Sequence, residues 1–334
     1  MTSIRLVIFL VVVFSLTGCA QPPDCFKEQV FCAALVTDTR GLNDFGANQE
    51  IWAGLQQAKT DGVLDQTAYI ESVDAKDYDK NIAFFAAAGY DVILTAGAGL
   101  NTTTLRNADL YPDSVFIGMN QADADARPNF IAVNFAEDQL GFLAGALAAR
   151  LTQTGIVGAA CETSGIDTMW RYCEGFRAGA AHADESVSVL VTYRDDGSRD
   201  RLFFDPDWGA EAAQDLIRDG ADVLFAAGGE TAAGALRAAG KAGIQVIGAE
   251  RNQGAALAES NVSVVTSMLG RVSFTVQALM RAVKAGQMTD VLAGPIGYVD
   301  VEGRVNPTVA TELDAWLQGL ENGEIRTNVT KNRP

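Results

Sequence analysis

The side chains best suited to chemistry concentrate in one segment, Leu35–Leu55, which reads LVTDTRGLNDFGANQEIWAGL. An apolar run ending at Val36 and Thr37 predicts a strand that delivers Asp38 to its carboxyl end, and Asn48 opens the helical pattern that follows. Free backbone N–H groups point outward from such a helix start. A carboxylate accepts from ligand N–H or O–H groups, whereas an amide both donates and accepts, so Asp38 and Asn48 together can read one polar edge of a small molecule. Structural duties compete for the same residues. Short polar side chains also cap helices and close turns, which would make Asp44 or Asn48 an N-cap and Asp38 a turn residue.

Other chemistries lack their residues. The glycine turns Gly97-Ala98-Gly99 and Gly228-Gly229 do not complete a dinucleotide fingerprint, and no Walker lysine pattern occurs. The sequence contains no G-x-S-x-G elbow, and its single histidine, His182, ends a helical pattern where a cation meets the helix C-terminus favourably. A surface role for His182 therefore outweighs catalysis, and the absence of any CxxC argues against zinc. No nucleophile with a paired base is visible, so the chain is read as a non-enzyme without a cofactor or metal. Its 42 acidic against 25 basic residues give a net charge of −17, which repels phosphate backbones and excludes a nucleic-acid partner.

Five cysteines leave one to be explained apart from the rest. Residues 1–19 read MTSIRLVIFLVVVFSLTGC, with an apolar run from Leu6 to Leu16 too short to span a bilayer core, and this reads as an export signal. Leu16-Thr17-Gly18-Cys19 resembles the lipobox of bacterial lipoproteins, which implies cleavage after Gly18 and acyl chains such as palmitate on Cys19. Two or more chains anchor a protein stably. The expected localisation is a lipid-anchored body facing the periplasm or the extracellular side, with residues 1–18 removed and 19–30 as linker. Cys25, Cys32, Cys161 and Cys173 remain, an even number in an oxidising compartment. Three connectivities are possible; Cys25 with Cys32 and Cys161 with Cys173, paired by proximity, is the chosen one.

The elements that must position these residues alternate along the chain. Strand patterns at 31–37, 67–73, 91–95, 115–118 and 129–134 interleave with helical patterns at 49–60, 76–88 and 102–108. A second set has strands at 156–160, 187–193, 222–226 and 245–247, with helices at 138–151, 170–183, 210–219 and 232–242. Strands apolar on both faces and alternating with helices predict an α/β protein with parallel sheets covered on both sides. Ala88–Gly97 (AGYDVILTAG) echoes Asp219–Gly228 (DGADVLFAAG), as two similar lobes would, each placing its glycine turn, Gly97 or Gly228, at the carboxyl edge where ligands bind. The expected lobes are 31–134 plus 250–290 and 135–249 plus 291–334, with the ligand cleft between them.

The Leu35–Leu55 segment resembles the opening signature of the basic membrane protein and purine nucleoside receptor family, lipoprotein substrate-binding components of ABC transporters. Asp38, Gly41, Asp44, Ala47 and Asn48 occupy its marked positions. Phe135–Gly145, Glu174–Gly179, Phe203-Phe204-Asp205-Pro206 with Gly209, Gly220–Val223 and Thr266-Ser267-Met268 resemble further blocks in the same order. The resemblance implies a type I periplasmic-binding-protein fold of two Rossmann-like lobes, a monomer that binds a nucleoside or nucleobase-like molecule and hands it to an ABC permease. It also implies an aromatic pair stacked on a nucleobase, with acidic groups and a lysine on the ribose. The second aromatic falls on Phe203, with Trp208 nearby, and acidic positions fall on Asn120 and Glu250. The first aromatic falls on Ala47, which cannot stack, and the lysine falls near Gly270. Trp170 and Trp208 are candidates to replace the lost aromatic surface, each with a packing role as the competing reading. The altered positions favour a rival reading, a receptor for a sugar or other polar metabolite; an extracytoplasmic ligand sensor is a third.

Overall fold

The computed structural model describes residues 23–122, 124–288 and 291–333. The expected signal segment and Cys19 lie outside these residues. In chain order the elements are β1 (Cys32–Val36), α1 (Ala47–Thr60), β2 (Gln66–Ile70), α2 (Tyr78–Ala87), β3 (Val92–Ala96), α3 (Asn101–Leu110), β4 (Val115–Met119) and β5 (Phe130–Asn134). There follow α4 (Glu137–Leu151), β6 (Ile156–Cys161), α5 (Asp167–Ala183), β7 (Ser188–Tyr193), α6 (Pro206–Arg218), β8 (Val223–Ala227), α7 (Gly229–Lys241), β9 (Gln245–Ala249) and α8 (Gln253–Ala256). The last are β10 (Val264–Gly270), α9 (Val272–Lys284), β11 (Val291–Ala293), β12 (Ile296–Tyr298) and α10 (Pro307–Glu321).

The strands form two six-stranded sheets, ordered β11-β5-β4-β3-β1-β2 and β12-β10-β9-β8-β6-β7. Every pairing is parallel except β10 with β12. The two orders superimpose term by term, so β3 and β8, the halves of the sequence echo, hold the same place in their sheets. Runs such as CAALV, VILTA and VLFAA are buried at every residue, because helices cover both faces and leave no wet side for a polar residue.

Tight helix pairing shapes the second lobe. At Gly141, Gly145, Gly175 and Gly179, on the facing surfaces of α4 and α5, a Cβ atom would come within 1.9–2.1 Å of the partner's backbone. Gly209 and Gly234 do the same for α6 and α7, at 2.0 and 2.2 Å. Disulfides join Cys25 to Cys32 and Cys161 to Cys173, the second tying the end of β6 to α5.

The lobe boundaries correct the expected ones. β10 continues the parallel ladder of β9, so residues 250–270 stay with the second lobe, whereas the sequence placed them in the first. α9 packs on α1, with a Cβ at Gly54 only 2.7 Å from the Ser273 carbonyl oxygen, and β11 pairs with β5 in the first sheet although 291–334 was assigned to the second. A strand buried on both faces fits either sheet, so periodicity carries no signal for which one it joins.

Candidate functional site

In parallel sheets the loops beyond the carboxyl ends of the strands are where ligands gather. Here those loops from the two lobes meet. The Asn252 N–H, beyond β9, donates to the Phe45 carbonyl, beyond β1, at 2.9 Å. Arg251 Nη1 reaches the Asp44 carbonyl at 3.4 Å while its Nη2 holds Glu230 Oε1 at 2.7 Å.

On the first-lobe wall, Asp38 follows β1 and Asn48 lies in the first turn of α1. Asn48 is fully buried, and its Nδ2 donates to Asp38 Oδ1 at 2.8 Å and to Asp44 Oδ2 at 3.2 Å. Two carboxylate acceptors fix the orientation of the amide, since its oxygen cannot donate to them. Asn48 Oδ1 is therefore an acceptor, and it is buried without a hydrogen-bond partner. Asp44 holds the helix start, taking the N–H groups of Gly46 (2.8 Å), Gln49 (3.2 Å) and Asn48 (3.2 Å). The capping role thus belongs to Asp44. Asp38 is also engaged: Oδ1 accepts from the Arg40 N–H (3.0 Å) as well as Asn48, and Oδ2 from Arg40 Nε (2.8 Å).

Arg40 escaped the sequence reading. The signal that could have found it is a cation two residues after a strand-end aspartate. Burial works to lower its pKa, but Asp38, Asp44 and Glu250, the last from the second lobe, outweigh that and hold it above the usual value. Gly97, at φ 89°, lies beside this pair, its Cβ position 3.8 Å from Asp38 Oδ2. Asn120 is exposed at the end of β4, at φ 55°, with its N–H on the Val133 carbonyl at 2.7 Å. Asp38, Asn48, Gly97 and Asn120 thus share one sheet edge.

On the second-lobe wall, the start of α7 gathers Phe203, Gly228 and Glu250. Glu250 Oε2 accepts from the N–H groups of Gly228 and Gly229 at 3.0 and 2.9 Å, so this carboxylate caps the helix's positive end. The Phe203 carbonyl accepts the Glu230 N–H at 2.9 Å. Phe203 (φ 66°) and Glu250 (φ 67°) join Phe45 (φ 53°) and Asn120 among non-glycine residues in the left-handed region. Such strain gathers at ligand clamps and active sites. The two candidate tryptophans lie in the first turns of α5 and α6. Trp208 packs against the alanine-rich core of α6 and α7, and Trp170 sits half-buried on α5 with its carbonyl 3.4 Å from the Tyr193 hydroxyl. Neither makes a ring contact with Phe203 among the described residues. His182 is exposed in the last turn of α5, and no cluster of ligating side chains suited to a metal occurs among the described residues.

Comparison with known proteins agrees with this geometry. The model of the Bmp family, described as "ABC transporter substrate-binding protein PnrA-like", matches residues 31–291. A CD4+ T-cell-stimulating antigen of Listeria monocytogenes is 27% identical over 321 residues, covering 89% of this chain and 87% of its own. The ABC transporter nucleoside-binding protein BmpA of Lactococcus lactis is 30% identical over 205 residues, covering 60% of this chain and 56% of its own. An ABC transporter solute-binding protein from Conexibacter woesei superimposes with a TM-score of 0.72 at 25% identity, covering 91% of this chain and all of the other.

Proposed function

Since the chain belongs to the Bmp family of PnrA-like ABC transporter substrate-binding proteins, we propose that it captures a nucleoside or nucleobase-like molecule in the cleft between its lobes and delivers it to a membrane permease. The family is one of solute-binding proteins, not enzymes. The observation that carries the reading is the Asn48 amide, a fixed acceptor with no donor in the protein. A buried acceptor left unpaired costs about 1–3 kcal/mol, which a ligand N–H or O–H arriving between parted lobes relieves. Nucleobase edges and ribose hydroxyls supply such donors, and the name of the Lactococcus relative points the same way. Asp38 serves the ligand by sharing its carboxylate with Arg40 or by releasing it. Glu250, Asn120 and Phe203 face the same molecule from around the cleft, with Gly97 and Gly228 admitting it close to the backbone.

A sugar would satisfy Asn48 equally well, and Ala47 and Asn120 favour it, because a hydroxyl-rich ring needs no second aromatic wall. Titration calorimetry against adenosine, guanosine, inosine, cytidine, uridine and a set of monosaccharides separates the two readings. We expect heat only with nucleosides, and a loss of affinity of about tenfold or more in Asn48→Leu. Heat with monosaccharides alone would transfer the reading to the sugar class. We place the body outside the cytoplasm on a lipid at Cys19, so Cys19→Ala should move the protein from the membrane fraction to the soluble one.

A further inference from the structure

Phe203 is an aromatic residue held at φ 66°, a conformation costing about 1–3 kcal/mol that persists only where the surroundings enforce it. The enforcing groups form a buried ionic network. Glu162, fully buried just after β6, accepts the Phe203 N–H at 2.9 Å and the Thr231 hydroxyl at 2.8 Å on Oε2, and Arg194 Nη1 at 3.2 Å on Oε1. Arg194, 2% exposed just after β7, holds Asp205 Oδ2 through Nε at 3.0 Å and the Ser198 carbonyl through Nη2 at 2.8 Å. Asp205 closes the circuit, its N–H on Thr231 Oγ1 at 3.1 Å and its Oδ1 on the Trp208 N–H at 3.3 Å and Arg201 at 2.9 Å. The loop 194–205 is thus pinned at both ends with Phe203 between them.

Burying such ions costs desolvation that their attraction does not fully return, so the network is poorly explained as a source of stability. The first lobe makes the same point. It follows the same sheet order, yet the residue after β1, equivalent to Glu162, is Thr37, whose hydroxyl donates only to the neighbouring Asp38 carbonyl. The network is an addition confined to the lobe that carries Phe203.

We propose that Glu162, braced by Arg194, Asp205 and Thr231, is a positioning residue that sets the Phe203 ring against the ligand. This rests on the reading that Phe203 contacts the ligand, and the test separates the two ideas. In the unliganded full chain, Glu162→Gln should speed hydrogen exchange at the Phe203 and Glu230 amides about tenfold, because a carboxamide has one oxygen where the carboxylate has two, which loosens the acceptor of the Phe203 N–H and with it the Phe203 carbonyl that receives the Glu230 N–H. With whichever nucleoside of the panel binds the native protein most tightly, Glu162→Gln should weaken binding about tenfold. In a double-mutant cycle, adding it to Phe203→Ala should cost nothing further. Unchanged exchange, or full additivity in the cycle, overturns the proposal. If no nucleoside binds the native protein, the ligand reading fails and the exchange rates alone decide the positioning role. Should Glu162→Gln not fold, Thr231→Val removes two bonds of the network, to Glu162 and from the Asp205 N–H, while leaving Glu162 and Arg194 in place, and is expected to speed the same amides about threefold; no change there also overturns it.

Discussion

At the scale of single residues, the cleft is built from side chains that satisfy one another, and ligand chemistry must be read from what is left over. In the sequence Asp38 and Glu250 stand as carboxylates open to a ligand and Asp44 as a possible cap, but all three receive backbone or side-chain donors. What remains between Asp38 and Asp44 is the Asn48 amide oxygen, one of four buried amide oxygens without a partner among the described residues, and the sequence could mark Asn48 as a candidate without revealing which of its atoms lacks a partner. Carboxylates elsewhere show the same saturation. Burial opposes the charge of Asp222, but the Thr152 hydroxyl and the N–H groups of Gln153 and Thr154 outweigh it and hold its pKa below the usual aspartate value. A depressed pKa means that the unfolded chain binds the proton first as pH falls. Its stabilising contribution is therefore complete above the ordinary value of about 3.9 and is lost as pH drops through the lower folded value. Denaturant midpoints between pH 5 and pH 2 should fall less steeply for Asp222→Asn than for the native protein.

Among the elements, helix pairs rather than strands carry the severest constraints. Gly145→Ala would put a methyl group 1.9 Å from the Phe176 carbonyl oxygen, where only backbone can yield. We expect a loss of roughly 3 kcal/mol, since overpacking outweighs the gain in helix propensity. Gly99→Ala, with open space around its Cβ position, should stay within about 0.5 kcal/mol. Denaturant unfolding of both variants checks the contrast. The same scale explains the misplaced boundaries. The run Val264–Met268 is buried throughout and therefore announces a strand, but nothing in it distinguishes the edge of β9 from that of β5.

For the whole molecule, the contacts of Arg251 and Asn252 with the loop 44–46 hold the two walls together. The Arg251–Glu230 pair is partly exposed, so its own worth is modest, and its effect is on the lobe contact that it steadies. Arg251→Ala should raise the dissociation rate of a bound nucleoside about three- to tenfold with little change in the association rate, read by stopped-flow fluorescence. It should also enlarge the unliganded protein in X-ray scattering, and an unchanged radius would remove the contact from any role in closure. The net charge of −17 keeps the body soluble and slows the approach of anionic solutes, in line with a neutral ligand.

The sequence by itself determined the α/β class, the repetition of one plan in two lobes and the strand ends at which Asp38, Gly97, Asn120 and Gly228 stand. Buried strands, amphipathic helices and glycine turns are local patterns, written in neighbouring residues. Only the tertiary structure decided which sheet each late strand joins, that Asp44 caps while Asn48 keeps an open acceptor, and that Glu162 and Arg194 brace Phe203. Those outcomes depend on contacts between residues far apart in the chain, such as Arg251 with Asp44, and no local spacing records them.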